Sequence, residues 1–169
     1  DNYLLSSNFD RRKPSLYNLI QALVPNGLAI PFHLTIFLYN KNGELRKEKM
    51  EQVISEIHEL KLGSKIQVSI VAHTSGNVTH DRNILTNYHL ITSGHGFGII
   101  DYQGVKENAM GEVKSTLHNI VFLPSSSSIK HQHSHILDWM KDIYIDRRGM
   151  ESLYAFEVGD SFNNRLLSE

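Results

Sequence analysis

Cysteine is absent from this chain of 169 residues. That excludes disulfide scaffolds, thiol nucleophiles, zinc fingers and iron–sulfur sites, and it fits a reducing compartment. An excess of charge of one sign is also missing, since Lys+Arg 17 stands against Asp+Glu 18. No global positive field draws the chain to nucleic acid or anionic lipid, so any such binding must come from a local cluster. Long hydrophobic runs are lacking too. The longest apolar stretch, 28–39, is interrupted by Pro31, His33 and Thr35 and falls short of the roughly 20 residues of a membrane span, so no transmembrane segment is expected. Residue 1 is Asp rather than Met, and no basic-then-apolar signal pattern opens the chain; it reads as a processed or excised cytoplasmic piece.

What remains is an average globular composition, with 40% apolar residues and 11 Gly. A chain of this length makes one domain, or one with a short appendage, and buries roughly 70% of the surface its unfolded form exposes without a disulfide or metal staple. Asn2 to Phe9 is strand-like. Pro14 followed by Leu16, Tyr17, Leu19, Ile20 and Leu23 predicts an amphipathic helix with proline in its first turn, ended by Pro25-Asn26-Gly27. Phe32 to Tyr39 predicts a buried strand. Lys47 to Leu60 carries Met50, Val53, Ile54, Ile57 and Leu60 at helical spacing, with Gly63 as its cap. Ile66 to Ala72 alternates with Gln67 and Ser69, which predicts a strand covered on one face.

Further on, Ile84 to Ile91 and Phe97 to Ile100 read as hairpin arms around a glycine-rich bend, Thr92-Ser93-Gly94-His95-Gly96. Asn119 to Leu123 reads as a strand, and Pro124 to Ser128 as a solvated break. Ser134 is the expected N-cap of a helix burying Ile136, Leu137, Met140, Ile143 and Tyr144 and stopped by Arg147-Arg148-Gly149. Leu153 to Val158 is the last expected strand. The sum is an α/β or α+β sandwich without an internal repeat or a second core.

One passage carries a chemical signal. Thr79-His80-Asp81-Arg82-Asn83-Ile84-Leu85-Thr86-Asn87 is followed by Ser93-Gly94-His95-Gly96-Phe97. Its spacing resembles the phospholipase D superfamily motif: His, any residue, Lys, four residues, Asp, then a Gly-Ser-any-Asn tetrapeptide seven positions on. Here His80 holds the His position, Arg82 stands for Lys, Asn87 for Asp, and Gly94-His95-Gly96-Phe97 for the tetrapeptide.

In that superfamily a His attacks a phosphodiester phosphorus to give a phosphohistidine, and Lys stabilises the phosphoryl oxygens. A second motif, from another repeat or a dimer partner, supplies the His that protonates the leaving group and then activates water. Arg grips phosphate as Lys does. Asn lacks the charge of Asp, and the departures at His95 and Phe97 remove two polar contacts, so the resemblance implies geometry retained and catalysis eroded.

The run from Ile66 through His80-Asp81-Arg82 to Gly94-His95-Gly96-Phe97 and a strand at His118 to Leu123 resembles the phospholipase-D-like C-terminal domain of MIT-domain proteins, over about residues 1–123. The resemblance implies a mixed sheet flanked by helices over 1–125, with 126–169 as a C-terminal extension packed on the same domain. It further implies a non-catalytic dimer that binds acidic phospholipid; the expectation taken from it is a homodimer formed across the His80 region that binds a phosphate-bearing ligand, lipid or nucleic acid, or a protein. The expected setting is cytoplasmic or peripheral at a membrane, as one module of a larger protein, with no cofactor or metal. The candidate phosphate-binding residues are His80, Arg82, His95, Arg11 and Arg12. Were the chain active, His80, Arg82 and Asn87 would be the catalytic set of a metal-independent phosphodiesterase.

Blander readings stand beside these. His80-Asp81-Arg82 also suits a strand start in which Asp81 pairs with Arg82, and His95 suits an exposed bend. Arg11-Arg12-Lys13 is either solvated or placed before a helix whose N–H groups favour anions. His131-Gln132-His133-Ser134-His135 invites a metal reading, yet with no nearby carboxylate before Asp138 it reads as a solvated helix start. Asn77-Val78-Thr79 matches a glycosylation sequon by accident of composition. Trp139, Tyr144, Tyr154 and Phe156 read as packing for the C-terminal part. A purely structural interaction domain, without a pocket, is the third alternative.

Overall fold

The computed structural model describes residues 9–40, 45–60, 62–74, 82–93, 100–101, 104–105, 115–149 and 155–160. Two parallel strands joined by a helix form its centre: β1 (Phe32–Tyr39), α2 (Lys47–His58) and β2 (Ile66–His73), preceded by α1 (Phe9–Leu23). β1 and β2 run in register from Phe32↔Ile66 to Tyr39↔His73. Because strand side chains alternate between faces, Ile36 and Leu38 share one face with Val68, Ile70 and Ala72. That face packs on Leu16, Ile20 and Val24 of the α1 region and on Met50, Val53, Ile54 and Ile57 of α2. The α2 residues recur at the spacing that makes one helical stripe. Tyr17 Oη donates a hydrogen bond to Glu56 Oε2 and ties the two helices together; burial first, then Glu56, pushes the phenol pKa upward.

The other face of the sheet presents Phe37 and Val71, which pack against Ile143 and Tyr144 of α3 (Ser128–Gly149). β8 (Ala155–Gly159) then joins antiparallel to β2, from Ser69↔Gly159 to His73↔Ala155, and gives the strand order β1-β2-β8. The result is a three-layer α+β arrangement with α1 and α2 on one side of a mixed sheet and α3 on the other.

The strand expected to be covered on one face is instead buried on both from Val68 to His73. Of the alternating polar residues that suggested a wet face, Ser69 is buried with its Oγ 3.4 Å from Thr35 Oγ1, while Gln67 stays half-buried.

A separate antiparallel sheet follows, built from β3 (Arg82–Leu85), β4 (His89–Ser93) and β7 (Ser115–Asn119) in the order β3-β4-β7. Between β4 and β7 lies a two-residue ladder of β5 (Ile100–Asp101) and β6 (Gly104–Val105). The stretch expected as one hairpin arm, 84–91, bends at Thr86-Asn87-Tyr88, because the Thr86 hydroxyl accepts from the backbone N–H groups of Tyr88 and His89 at 3.1 and 3.0 Å; the expected glycine-rich bend and second arm lie, apart from Thr92, Ser93 and Ile100, outside the described residues. A side chain that closes its own turn in this way is a strong local signal.

Other boundaries also moved. α1 begins at Phe9, so Pro14 lies within the helix rather than in its first turn. α2 ends at His58, with Glu59 as its C-cap, well before Gly63; Gly63 matters because a Cβ there would meet Asn26 Oδ1 at 1.9 Å. The strand expected over 119–123 ends at Asn119, whose Oδ1 accepts from Val121 N and starts a 3₁₀ turn, Ile120–Phe122. α3 starts at Ser128, so Ser134 is interior to it and not an N-cap; the Ser127 carbonyl accepts the first helical bond, from His131 N. The strand-like reading of 2–9 falls, apart from Phe9, outside the described residues.

Gly159 closes the mixed sheet with φ +132, and a Cβ on it would stand 2.2 Å from the Val68 carbonyl oxygen and 2.8 Å from Ser69 Cα. Both obstacles are backbone of the central strand and cannot step aside. Gly159→Ala is therefore expected to lower unfolding free energy by on the order of 2–4 kcal/mol, read from urea denaturation midpoints at unchanged m-value.

Candidate functional site

The two halves of the sequence motif are attached to one end of the β3–β4 ladder. Arg82 opens β3 and pairs across the ladder with Ser93, the last residue of β4, which pairs in turn with Ser115 of β7. Ser93 is buried. His80 precedes Arg82 by one residue in between, and Gly94-His95-Gly96-Phe97 continues directly from Ser93. His80 and His95 themselves lie outside the described residues.

Asn87 is not brought to that end. It sits exposed in the β3–β4 bend, separated from Arg82 by the length of β3, about 10 Å or more at the rise of an extended chain. A direct hydrogen bond from Asn87 to a group at the Arg82 end is thus out of reach along this ladder.

Arg11 and Arg12 fall in the opening turn of α1 instead of preceding the helix. α1 in turn contacts β5, the strand that follows the Gly94–Phe97 stretch in the chain. The helix bearing the basic pair and the segment leaving the glycine-rich stretch are therefore neighbours.

The histidine-rich run at the start of α3 separates by face. His133 is buried, and its Nε2 lies 3.1 Å from the Thr86 carbonyl oxygen, so the imidazole anchors α3 to the hairpin bend. His131 and His135 remain exposed. Among the described residues no group of three His, Asp or Glu side chains is arranged to hold a metal ion.

A second cluster, not anticipated from sequence, occupies the carboxyl ends of the parallel pair, where α/β sheets commonly place ligand crevices. His73 ends β2 with only 1% of its surface exposed. Its ring lies edge-on to Trp139 at 5.2 Å and tilted against Tyr39 at 5.8 Å. Beside it Asn40 is buried, donates its N–H to the His73 carbonyl at 2.8 Å, and accepts from Leu45 N through Oδ1 at 3.1 Å. His73 Nδ1 is buried without a hydrogen-bond partner. Burial holds the imidazole well below the ordinary histidine value, at about 4, so the ring is neutral at pH 7. The signal available in the sequence was a histidine at the end of an apolar strand, directly before Thr74-Ser75-Gly76.

Because the folded chain takes up this proton near pH 4 and the unfolded chain near 6.5, stability from a neutral His73 is complete above pH 6.5 and falls as pH drops towards 4. Between pH 7 and pH 5 the loss from this group is about 2 kcal/mol. Urea unfolding of His73→Leu at the two pH values is expected to show a drop smaller by that amount than the unsubstituted chain; an equal drop in both would mean that His73 is solvated.

Comparison with known proteins finds no matching family model, no matching curated protein and no matching solved structure.

Proposed function

We propose that this chain is a phospholipase-D-like module that has kept the layout of the motif and lost the catalysis, forms a homodimer, and binds a phosphate-bearing ligand, lipid or nucleic acid, without turning it over. The observation that carries this reading is the ladder register. Arg82 opposite Ser93 attaches the His80 segment and the Gly94–Phe97 segment to the same end of one hairpin. A guanidinium there grips phosphate through a planar fork of N–H donors, and backbone N–H groups of a glycine-rich stretch add neutral donors. The contact between α1 and β5 brings the Arg11-Arg12 helix into the same neighbourhood.

The loss of turnover is argued from the residue types. Asn87 stands exposed at the far end of the hairpin and offers no charge to an imidazolium at the other. His95 and Phe97 replace side chains expected around the phosphate. A net charge of −1 requires that binding rest on the local arginines, so it must weaken steeply with salt. No described helix is long and apolar enough to cross a membrane, so any lipid contact in this reading is at a surface.

Sedimentation with phosphatidylcholine vesicles, with and without phosphatidylserine, and titration with single-stranded DNA at low salt test the proposal. Binding to one of the anionic probes is expected to fall at least tenfold in Arg82→Ala and in Arg11→Ala/Arg12→Ala, with circular dichroism unchanged. A generic phosphodiester should stay intact in chelator. Hydrolysis that His80→Ala abolishes would make the chain the metal-independent phosphodiesterase instead. Absence of both binding and hydrolysis would leave only a structural interaction domain.

A further inference from the structure

We infer that β7 is a self-pairing edge through which two copies of this chain join their antiparallel sheets. Among the described residues β7 has β4 on one side and no strand on the other. Proteins usually blunt such an edge with a charge, a proline or a bulge. β7 has none of these: its sequence is Ser-Thr-Leu-His-Asn, and it pairs with β4 without a break from Ser93↔Ser115 to His89↔Asn119.

Leu117, at the middle of this edge, is 61% exposed. It continues a row of apolar side chains on one sheet face, since Ile84 pairs with Ile91 and Ile91 with Leu117. Val121 and Phe122, just beyond the strand, are exposed at 54% and 84%.

A two-fold axis at Leu117 makes the edge complementary to itself. In an antiparallel pair, Leu117 then faces Leu117 of the partner subunit, Ser115 faces the partner's Asn119, and Thr116 faces the partner's His118. No like charges meet, the free backbone groups of both edges are satisfied, and the apolar row runs unbroken across six strands. A second copy is the occupant that fits, because only the same five-residue edge supplies this symmetry.

This geometry also separates the two motif ends. The Arg82 rows of the two subunits lie five strand spacings apart laterally and four residues apart along the strands, roughly 25–30 Å in all. Such a dimer presents two independent anion grips on one rigid sheet. It does not bring one subunit's His80 segment to the other's, which a two-histidine phosphodiesterase requires. The inference uses β3, β4 and β7 alone and stands whether or not the phosphate-binding reading holds.

The cysteine-free chain allows a direct test. Residues directly opposed in an antiparallel pair have Cα separations within disulfide range. Leu117→Cys should form a covalent dimer on mild oxidation, whereas Leu28→Cys, on an exposed loop away from this sheet, should not. By light scattering the unsubstituted chain should show twice the 19.3 kDa of one copy, and Leu117→Lys should halve that mass with the circular dichroism spectrum unchanged. A dimer that survives Leu117→Lys and dissociates in His80→Ala would overturn the β7 assignment in favour of pairing across the His80 region. A monomeric unsubstituted chain would overturn both.

Discussion

Enclosure of β2 is the constraint on which the rest of the structure depends. β1 and β8 flank it, α1 and α2 cover one face, and α3 covers the other. A strand sealed on four sides leaves no route for solvent, so every polar group on it must be neutral, paired or both. Ser69 approaches Thr35 across the sheet, and His73 gives up its proton. The position of α3 follows, because Phe37 and Val71 demand an apolar cover and Ile143 and Tyr144 provide it.

His133 is one of the polar contacts that hold the second sheet to this core. Its bond to the Thr86 carbonyl ties the start of α3 to the hairpin bend, while Ile120 N donates to the Tyr88 carbonyl at the same corner. The bend end of the hairpin is therefore fixed by two elements, α3 and the 3₁₀ turn. The opposite end carries Arg82 and Ser93, paired across the ladder. Rigidity at one end of a short ladder sets the direction of the other.

Periodicity made the central elements legible. Phe32–Tyr39 is a strand with the limits its apolar run indicated, and α2 shows the stripe of Met50, Val53, Ile54 and Ile57 that its spacing required. What the sequence concealed was governed by side-chain bonds and tertiary cover rather than by local composition. The apolar run over 84–91 read as one arm, whereas the Thr86 hydroxyl closes a bend inside it. Asn119 ended a strand that apolar residues seemed to extend. The polar alternation of β2 suggested water, when its true neighbours were α3 and β1. Spacing pointed to Arg82, which the register places opposite Ser93, whereas His73 was hidden because its environment comes from Tyr39 and Trp139, distant in the chain.

The arrival of β8 beside β2 has a consequence for biogenesis. The contact of Asp160 with Val68 spans 92 residues of chain, so the mixed sheet closes late and through a large loop. While the ribosome is still adding residues 75–154, β2 has only β1 along its length, and the side later sealed by β8 stays raw. An emerging polypeptide in that condition is open to wrong strand partners until residues 155–159 arrive to cover that side.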